Sequence, residues 1–257
     1  MDFGIVLLSV IPLRFEPDDR SEMINQLLFG DLLVITEKKK NWWRIRSVFD
    51  NYEGWVDNKQ VQLISEEEFN SLKQENKHCS LDPVSVVKNK TTGHYLPVVM
   101  GSSMPGIKDQ LFTLNGTEYL YEGGMSQEKF SREHLIETAL LYVDAPYLWG
   151  GKTPFGIDCS GLIQMIFKIN GHAIERDAAQ QAKMGETLSL LSETKAGDLV
   201  FFDNEDGEII HVGMLLTQEK VIHASGKVRI DSIDHHGIFN AELKNYTHNI
   251  RLIKSLI

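Results

Sequence analysis

Apolar and polar positions follow one rhythm before about residue 123 and another after it. In the first half, short β-branched and aromatic runs are separated by polar turns, as a small barrel requires. "GIVLLSVIPLR", "DLLVITEK", "WWRIRSV" and "EGWVDNKQVQL" predict strands over residues 1–64, with "EPDDRSE" and "FDNYEG" as turns. The apolar run from Phe3 to Ile11 reads as one buried first strand. "SEEEFNSLKQEN" follows, and Ser65 with Glu68 has the spacing of a capping box, so residues 65–76 form a helical linker. "SVVKNK", "YLPVVMGSSMPG" and "QLFTLNGTEYLY" predict a second strand-rich segment over 77–123, with Asn115-Gly116 as a hairpin turn and "EGGMSQ" as a linker.

Beyond that linker the period lengthens. "SREHLIETALLYV" carries Leu135, Ile136, Ala139, Leu140 and Val143 at the spacing of one helix face. "CSGLIQMIFKING" predicts a second helix, stopped by Asn170-Gly171. "GDLVFF", "HVGMLLT", "KVIHAS", "KVRIDSI" and "NIRLIKSLI" then read as successive strands. Helices followed by antiparallel strands define an α+β domain over 124–257.

The 257 residues suffice for one large domain or two to three small ones, and the net charge of −10 argues against nucleic acid or an anionic membrane as the main partner. The apolar N-terminal run lacks a basic flank and a small-residue cleavage site, and is too short to span a bilayer. A cytoplasmic location, without membrane association, is therefore expected. Two cysteines, Cys79 and Cys159, make no disulfide framework and no four-cysteine zinc site; neither cofactor nor metal is expected. The pair His235-His236 could suggest a metal, but without further ligands it is read as a loop, and Cys79 as structural.

Cysteine catalysis needs a thiolate, a base that forms it and a group that holds the base. Cys159, between Asp158 and Ser160, stands where the second helix begins, and the unpaired N–H groups of a helix start lower a thiol pKa and stabilise an oxyanion. His211 opens one strand and His223 lies in the next, positions that suit either a base with its orienting partner or two ordinary sheet histidines. A two-residue turn at Gln218-Glu219 would pair position 211 with 226 and leave His223 on the other face. A longer turn, a bulge or strong twist is then needed to join the rings.

"YLWGGKTPFGIDCSGLIQMIF", "RDAAQQAKMG", "AGDLVFF", "HVGMLL" and "VIHASG" occur in one order over about 131–254. This series resembles the NlpC-type cysteine peptidases of bacterial cell-wall metabolism. "PLRFEPDDRSEMINQLLFGD" and "YEGWV" resemble a bacterial SH3-like domain, with 77–123 as a divergent second copy. The combination resembles γ-D-glutamyl-L-diamino acid endopeptidases of the dipeptidyl-peptidase VI type. It implies a papain-like catalytic domain after one or two SH3-like barrels, Cys159 as nucleophile, His211 as base and His223 as orienting member. It places Tyr147 near the oxyanion and Trp149 in the cleft, unless these are core aromatics. Asp158 and Ser160 would bind substrate, although Asp158 equally suits a helix cap. The subgroup has Asp-Ser after the arginine of "RDAAQQ"; Asp177-Ala178 stands here, so one hydroxyl contact of that substrate site is lost.

The resemblance also implies a monomer whose partners are peptidoglycan-derived peptides with a free N-terminal L-Ala, in cell-wall peptide recycling. The first SH3-like domain would close the site, with Glu53 meeting the ammonium, unless Glu53 is a solvated turn residue. An amidase or acyltransferase on the same scaffold and a non-catalytic cell-wall binding protein are the alternatives.

Overall fold

The computed structural model describes residues 2–75, 78–126 and 131–257, which form two compact units divided at Glu128 and Lys129. No helix among the described residues is long and apolar enough to cross a membrane.

The first unit begins with β1 (Asp2–Ile5), β2 (Val10–Arg14), β3 (Met23–Leu28), β4 (Leu32–Lys39), β5 (Trp42–Ser47), β6 (Glu53–Asp57) and β7 (Gln62–Ile64). Their order in the sheet is β3-β2-β6-β5-β4-β1-β7, the SH3-like barrel expected for this segment. The Phe3–Ile11 run is not one strand. β1 pairs with β4 and β7, whereas β2 pairs with β3 and β6, so the chain must turn between them to change neighbours. β3 was hidden in the sequence between the turn "EPDDRSE" and the next strand, because Asn25 and Gln26 interrupt its apolar pattern. Ile11, Leu13, Leu27, Leu33, Ile35, Ile45 and Val56 fill this core.

α1 (Glu66–Gln74) starts where the capping box places it, with Ser65 Oγ accepting the Glu68 N–H at 3.1 Å. The box is not reciprocal, because the Glu68 carboxylate accepts instead from the Asn115 N–H. The second segment is a four-stranded sheet ordered β10-β11-β8-β9, from β8 (Val84–Asn89), β9 (Tyr95–Val99), β10 (Leu111–Leu114) and β11 (Thr117–Tyr121). Asn115 and Gly116 both have positive φ (48° and 69°), the backbone of the expected hairpin turn. Ile5 and Phe29 pack with Val87, Val98, Phe112 and Tyr121, so the barrel and this sheet share one core cluster. "EGGMSQ" is no loose linker over its described part: Met125 bridges Ser80, and the Ser126 N–H donates to the Cys79 carbonyl. The remainder of that junction, and the 76/77 boundary, lie outside the described residues.

The second unit contains α2 (Arg132–Leu140), β12 (Lys152–Thr153), β13 (Gly156–Ile157), α3 (Cys159–Ile169) and α4 (Ala178–Gln181). After these come β14 (Glu186–Leu188), β15 (Leu199–Asp203), β16 (Ile209–Thr217), β17 (Lys220–Ser225), β18 (Lys227–Ile233), β19 (Gly237–Asn240) and β20 (Asn245–Ser255). The sheet runs β14-β20-β15-β16-β17-β18-β19, and β19 also pairs with β20. α2 ends three residues short of the predicted Val143. Leu135 and Ala139 are buried, whereas Leu140, the last helical residue, is exposed; Val143 is exposed because the chain leaves the helix through i→i+3 turns at Leu141 and Tyr142. α3 is buried along all eleven residues and stops at Gly171, whose φ is +83°. It packs against α2, β16 and β17, which brings the start of the helix to the histidine-bearing strands.

Candidate active site

The start of α3 is built from close backbone approaches that only glycine permits. A Cβ on Gly151 would lie 2.3 Å from the Gly156 carbonyl oxygen, and one on Gly161 would lie 2.4 Å from the Gly151 carbonyl oxygen. The Trp-Gly-Gly and Cys-Ser-Gly segments therefore stack against one another and present Cys159 at the first helical position. Asp158 caps the helix, its Oδ1 accepting the Gly161 N–H at 2.6 Å, while Oδ2 accepts the Gly150 N–H at 2.8 Å.

Arg176, only 1% exposed, completes this arrangement. It donates to both Asp158 oxygens, at 2.9 and 2.6 Å, and to Ser160 Oγ at 2.9 Å. Both oxygens of Asp158 and the Ser160 hydroxyl are thus engaged inside the protein, an arrangement that matches the cap alternative for Asp158. Arg176 opens the "RDAAQQ" segment, yet the sequence assigned it no role. A buried guanidinium is found only through its partner, and the partner is 18 residues away.

Cys159 is buried, and its sulfur accepts from the backbone N–H groups of Val212 and Ser160. Val212 follows His211 on β16, so the thiol lies beside the strand that carries the candidate base. Burial, reinforced by the negative charge of Asp158, pushes the thiol up to about 11; the two N–H groups and Arg176 pull the other way and do not win. The expectation that the helix start lowers this pKa is therefore corrected. Desolvation of a nearly enclosed sulfur outweighs the helix-end field. His211 is buried as well, and burial holds its imidazole well below the ordinary value, with the neighbouring His223 and His248 adding to the effect. Both shifts favour a neutral thiol and a neutral imidazole at rest.

The strand register explains how the histidines meet. The turn at Gln218-Glu219 has two residues, since Thr217 pairs with Lys220, but a bulge between Leu215 and Thr217 shifts the ladder. His223 then opposes Gly213, and positions 211 and 213 lie on one face. The missing side chain at Gly213 leaves space for the rings; a Cβ there would approach His223 Cβ to 3.2 Å. His211 Nε2 and His223 Nδ1 are 2.9 Å apart with their rings nearly perpendicular.

Beyond the pair, His223 Nε2 lies 3.1 Å from Asp231 Oδ2, and Asp231 is bound by Arg229 through Nε at 2.7 Å and Nη2 at 3.0 Å. Burial alone would raise the Asp231 pKa, but the hydrogen bonds from His223 and Arg229 hold it down at about 2. His248 on β20 stacks on His211 at 4.3 Å. Burial, followed by the nearby His223, lowers it to about 4. The sequence reading missed both residues. In "KVRIDSI" the apolar alternation points Ile230 inward and Asp231 to solvent; the structure does the reverse, with Ile230 exposed and Asp231 buried.

Neither aromatic of "YLWGG" is a core residue: Tyr147 is 36% exposed and Trp149 60%. Burial of the phenol and the charges of Cys159 and Asp158 raise Tyr147 to about 12, so its hydroxyl remains a donor at neutral pH, close enough to the nucleophile to sense its charge. Asp177 sits at the N-cap of α4, where its N–H donates to Gln180 Oε1 at 3.2 Å. Glu53 is not in a turn. It opens β6 opposite Arg46 and pairs with Arg44 at 2.9 Å, in the first unit. Cys79 and Cys159 are not joined in a disulfide, and Cys79 is buried in the first unit. His235 and His236 lie in the β18–β19 turn. With Asp234 they offer ligand atoms within 4.8 Å of one another, although Asp234 is already engaged by the Tyr246 hydroxyl.

A cysteine at a helix start, two bridged imidazoles and a phenol donor can together carry out acyl transfer. Comparison with known proteins agrees. Residues 144–246 match the NlpC/P60 family, and residues 13–61 match the bacterial dipeptidyl-peptidase Sh3 domain. The chain is 31% identical over 216 residues to the gamma-D-glutamyl-L-lysine dipeptidyl-peptidase of Bacillus subtilis, covering 77% of this chain and 71% of that one. It is 29% identical over 270 residues to dipeptidyl-peptidase 6 of Lysinibacillus sphaericus, covering 93% and 95%. The fold matches the crystal structure of an NlpC/P60 family protein from Bacillus cereus ATCC 10987 with a TM-score of 0.84, at 19% identity over 99% of both chains. The chain belongs to the NlpC/P60 family and is a cysteine peptidase.

Proposed function

We propose that this peptidase cuts the γ-D-Glu–L-diamino acid bond of peptidoglycan-derived peptides, releasing L-Ala-γ-D-Glu, and serves in recycling of cell-wall peptides. The observation that carries this reading is the similarity to dipeptidyl-peptidase 6 along nearly the whole chain, so that the likeness includes the N-terminal barrel as well as the catalytic unit.

In this reading the Cys159 thiol gives its proton to His211 as sulfur attacks the γ-carbonyl carbon of D-Glu. The free ring nitrogen of His211 is Nδ1, since Nε2 is engaged by His223. The oxyanion forms beside the N–H groups at the start of α3 and the Tyr147 hydroxyl. The imidazolium then protonates the leaving α-amine of the diamino acid, which leaves a thioester on Cys159. Water, deprotonated by His211, attacks that thioester; the thiolate leaves, takes back the proton and regenerates the thiol. Because thiol and imidazole are both held neutral, the proton moves as attack begins. Trp149, largely exposed, offers a ring face for contact with substrate.

Recognition of a free L-Ala ammonium needs a carboxylate, and Glu53 is the residue proposed for it. Its existing partner, Arg44, would have to share or yield that carboxylate. Incubation with L-Ala-γ-D-Glu-L-Lys, with release of lysine followed by mass spectrometry, tests the bond specificity. Release of L-Ala-γ-D-Glu and lysine is expected; an intact tripeptide beside an active enzyme preparation on other wall peptides would overturn it. N-acetyl-L-Ala-γ-D-Glu-L-Lys should be cut far more slowly, and equal rates would remove the requirement for a free amine.

A further inference from the structure

The histidine pair can hold its hydrogen bond in either of two directions, and only one of them leaves a base for Cys159. If His211 Nε2 donates to His223 Nδ1, the His211 Nδ1 lone pair is free. If His223 Nδ1 donates instead, His211 must carry its hydrogen on Nδ1 and cannot accept the thiol proton. We propose that Asp231, clamped by Arg229, is the positioning residue that selects the productive direction.

Arg229 has only donors to offer, and it grips both Asp231 oxygens, Oδ2 through Nε and Oδ1 through Nη2. Asp231 is buried and ionised, so it can only accept. His223 Nε2, 3.1 Å from Oδ2, must therefore donate. A neutral imidazole with its hydrogen on Nε2 has a bare Nδ1, and that atom faces His211 Nε2 at 2.9 Å. His211 Nε2 must donate in turn, which leaves Nδ1 as its basic nitrogen. With a single proton on His223, each step follows from the one before.

The sheet supplies the placement. Gly213 opposes His223 and His223 opposes Arg229, so His211, His223, Arg229 and Asp231 share one face across three strands. Arg229 also donates to Glu242, and this second contact holds the clamp from the other side. Because Arg229 cancels the Asp231 charge locally, Asp231 acts through the hydrogen it demands from His223 more than through net negative charge. This role rests on Cys159 and His211 being nucleophile and base, and it holds whichever wall peptide is the substrate.

The test needs no peptide. With histidine labelled by nitrogen-15, the wild-type chain should show both His211 and His223 as Nε2–H tautomers with unprotonated Nδ1. Finding His223 as the Nδ1–H tautomer overturns the proposal outright. Asp231→Asn, whose amide can turn an N–H toward His223, should populate the opposite tautomers. It should also slow alkylation of Cys159 by iodoacetamide about tenfold or more, a part of the roughly 10²–10⁴ that a positioned base contributes. An Asp231→Asn protein that is folded by circular dichroism, keeps the wild-type tautomers and alkylates at the wild-type rate also overturns it. If that variant does not fold, the wild-type tautomers still decide. Loss of alkylation with the tripeptide uncut even by wild type would support the relay while rejecting the substrate.

Discussion

Two regions of the molecule present a carboxylate that sequence reasoning offered to substrate, and each carboxylate holds an arginine. At the start of α3, Asp158 and Arg176 are 8% and 1% exposed in their side chains; on the barrel, Glu53 and Arg44 are 40% and 47% exposed. The chemistry of the two pairs is the same and their consequences differ. Removing one member of a buried pair strands the other charge at a cost of about 3–5 kcal/mol, whereas an exposed pair contributes roughly 0.2–1 kcal/mol. Asp158 is therefore committed to the architecture that presents Cys159. Glu53 can change partner at little cost, which is what a recognition carboxylate needs.

The sharpest way to break this contrast is to remove Arg176. Arg176→Met should lower the free energy of unfolding by about 3–5 kcal/mol in urea titration, and adding Asp158→Leu should restore part of it, since no charge is then stranded. A loss below about 1 kcal/mol from the single substitution would place the two arginine pairs in the same class.

A second contrast lies within the histidine pair. His211→Gln removes the group able to take the thiol proton, so kcat should fall by about 10²–10⁴ with little change in KM. His223→Gln leaves a base that is less well oriented and should retain more of kcat. Because these residues act as a unit, the Cys159→Ala, His211→Gln double variant should be little worse than either single one. Equal losses at His211 and His223, read from initial rates, would erase the distinction.

The buried titratable groups of the catalytic unit also make its stability depend on pH. His211 and His248 are held uncharged when folded, His248 down to about 4, whereas unfolded histidine binds its proton near 6.5. Between those values the unfolded chain binds more protons, so stability rises with pH and is lost as pH falls from about 6.5 toward 4. Asp231 acts in the same sense lower down: its contribution is present above 3.8 and disappears as pH falls toward about 2. The urea midpoint of the catalytic unit's transition should be lower at pH 5 than at pH 7. His248→Phe, which keeps a stacked ring and cannot be charged, should narrow the difference; an unchanged difference would mean that His248 contributes nothing to it.

Much of this was legible in the residues because local rules were enough. Ser65, Asn115-Gly116 and Asn170-Gly171 each announce an element end by backbone chemistry, and α3 is apolar apart from Ser160, Gln164 and Lys168. The site's outer members were not legible because their partners are set by register. A bulge near Leu216 moves His223 onto the face of His211, and no residue in "GMLLTQEKV" advertises it. The pairing of β17 with β18 then turns Asp231 inward against the apolar alternation, and Arg176 is identifiable only once Asp158 is seen beside it. The apolar stripe of α2 fails at Val143 for a similar reason, since the helix ends before its periodicity does.

The smallest effect expected on stability belongs to Glu53. Glu53→Gln should shift unfolding by less than about 1 kcal/mol while raising KM for the free tripeptide severalfold, because an amide cannot pair an ammonium as a carboxylate does. An unchanged KM would leave Glu53 as no more than the exposed partner of Arg44.

Every catalytic role assigned here depends on Cys159 being the nucleophile, and one comparison of turnover tests that. Cys159→Ala and Cys79→Ala are assayed beside the wild type on L-Ala-γ-D-Glu-L-Lys, with circular dichroism to show that each is folded. Cys159→Ala should release no lysine, while Cys79→Ala should release it at close to the wild-type rate. Sustained lysine release by a folded, peptidase-free preparation of Cys159→Ala would contradict that assignment.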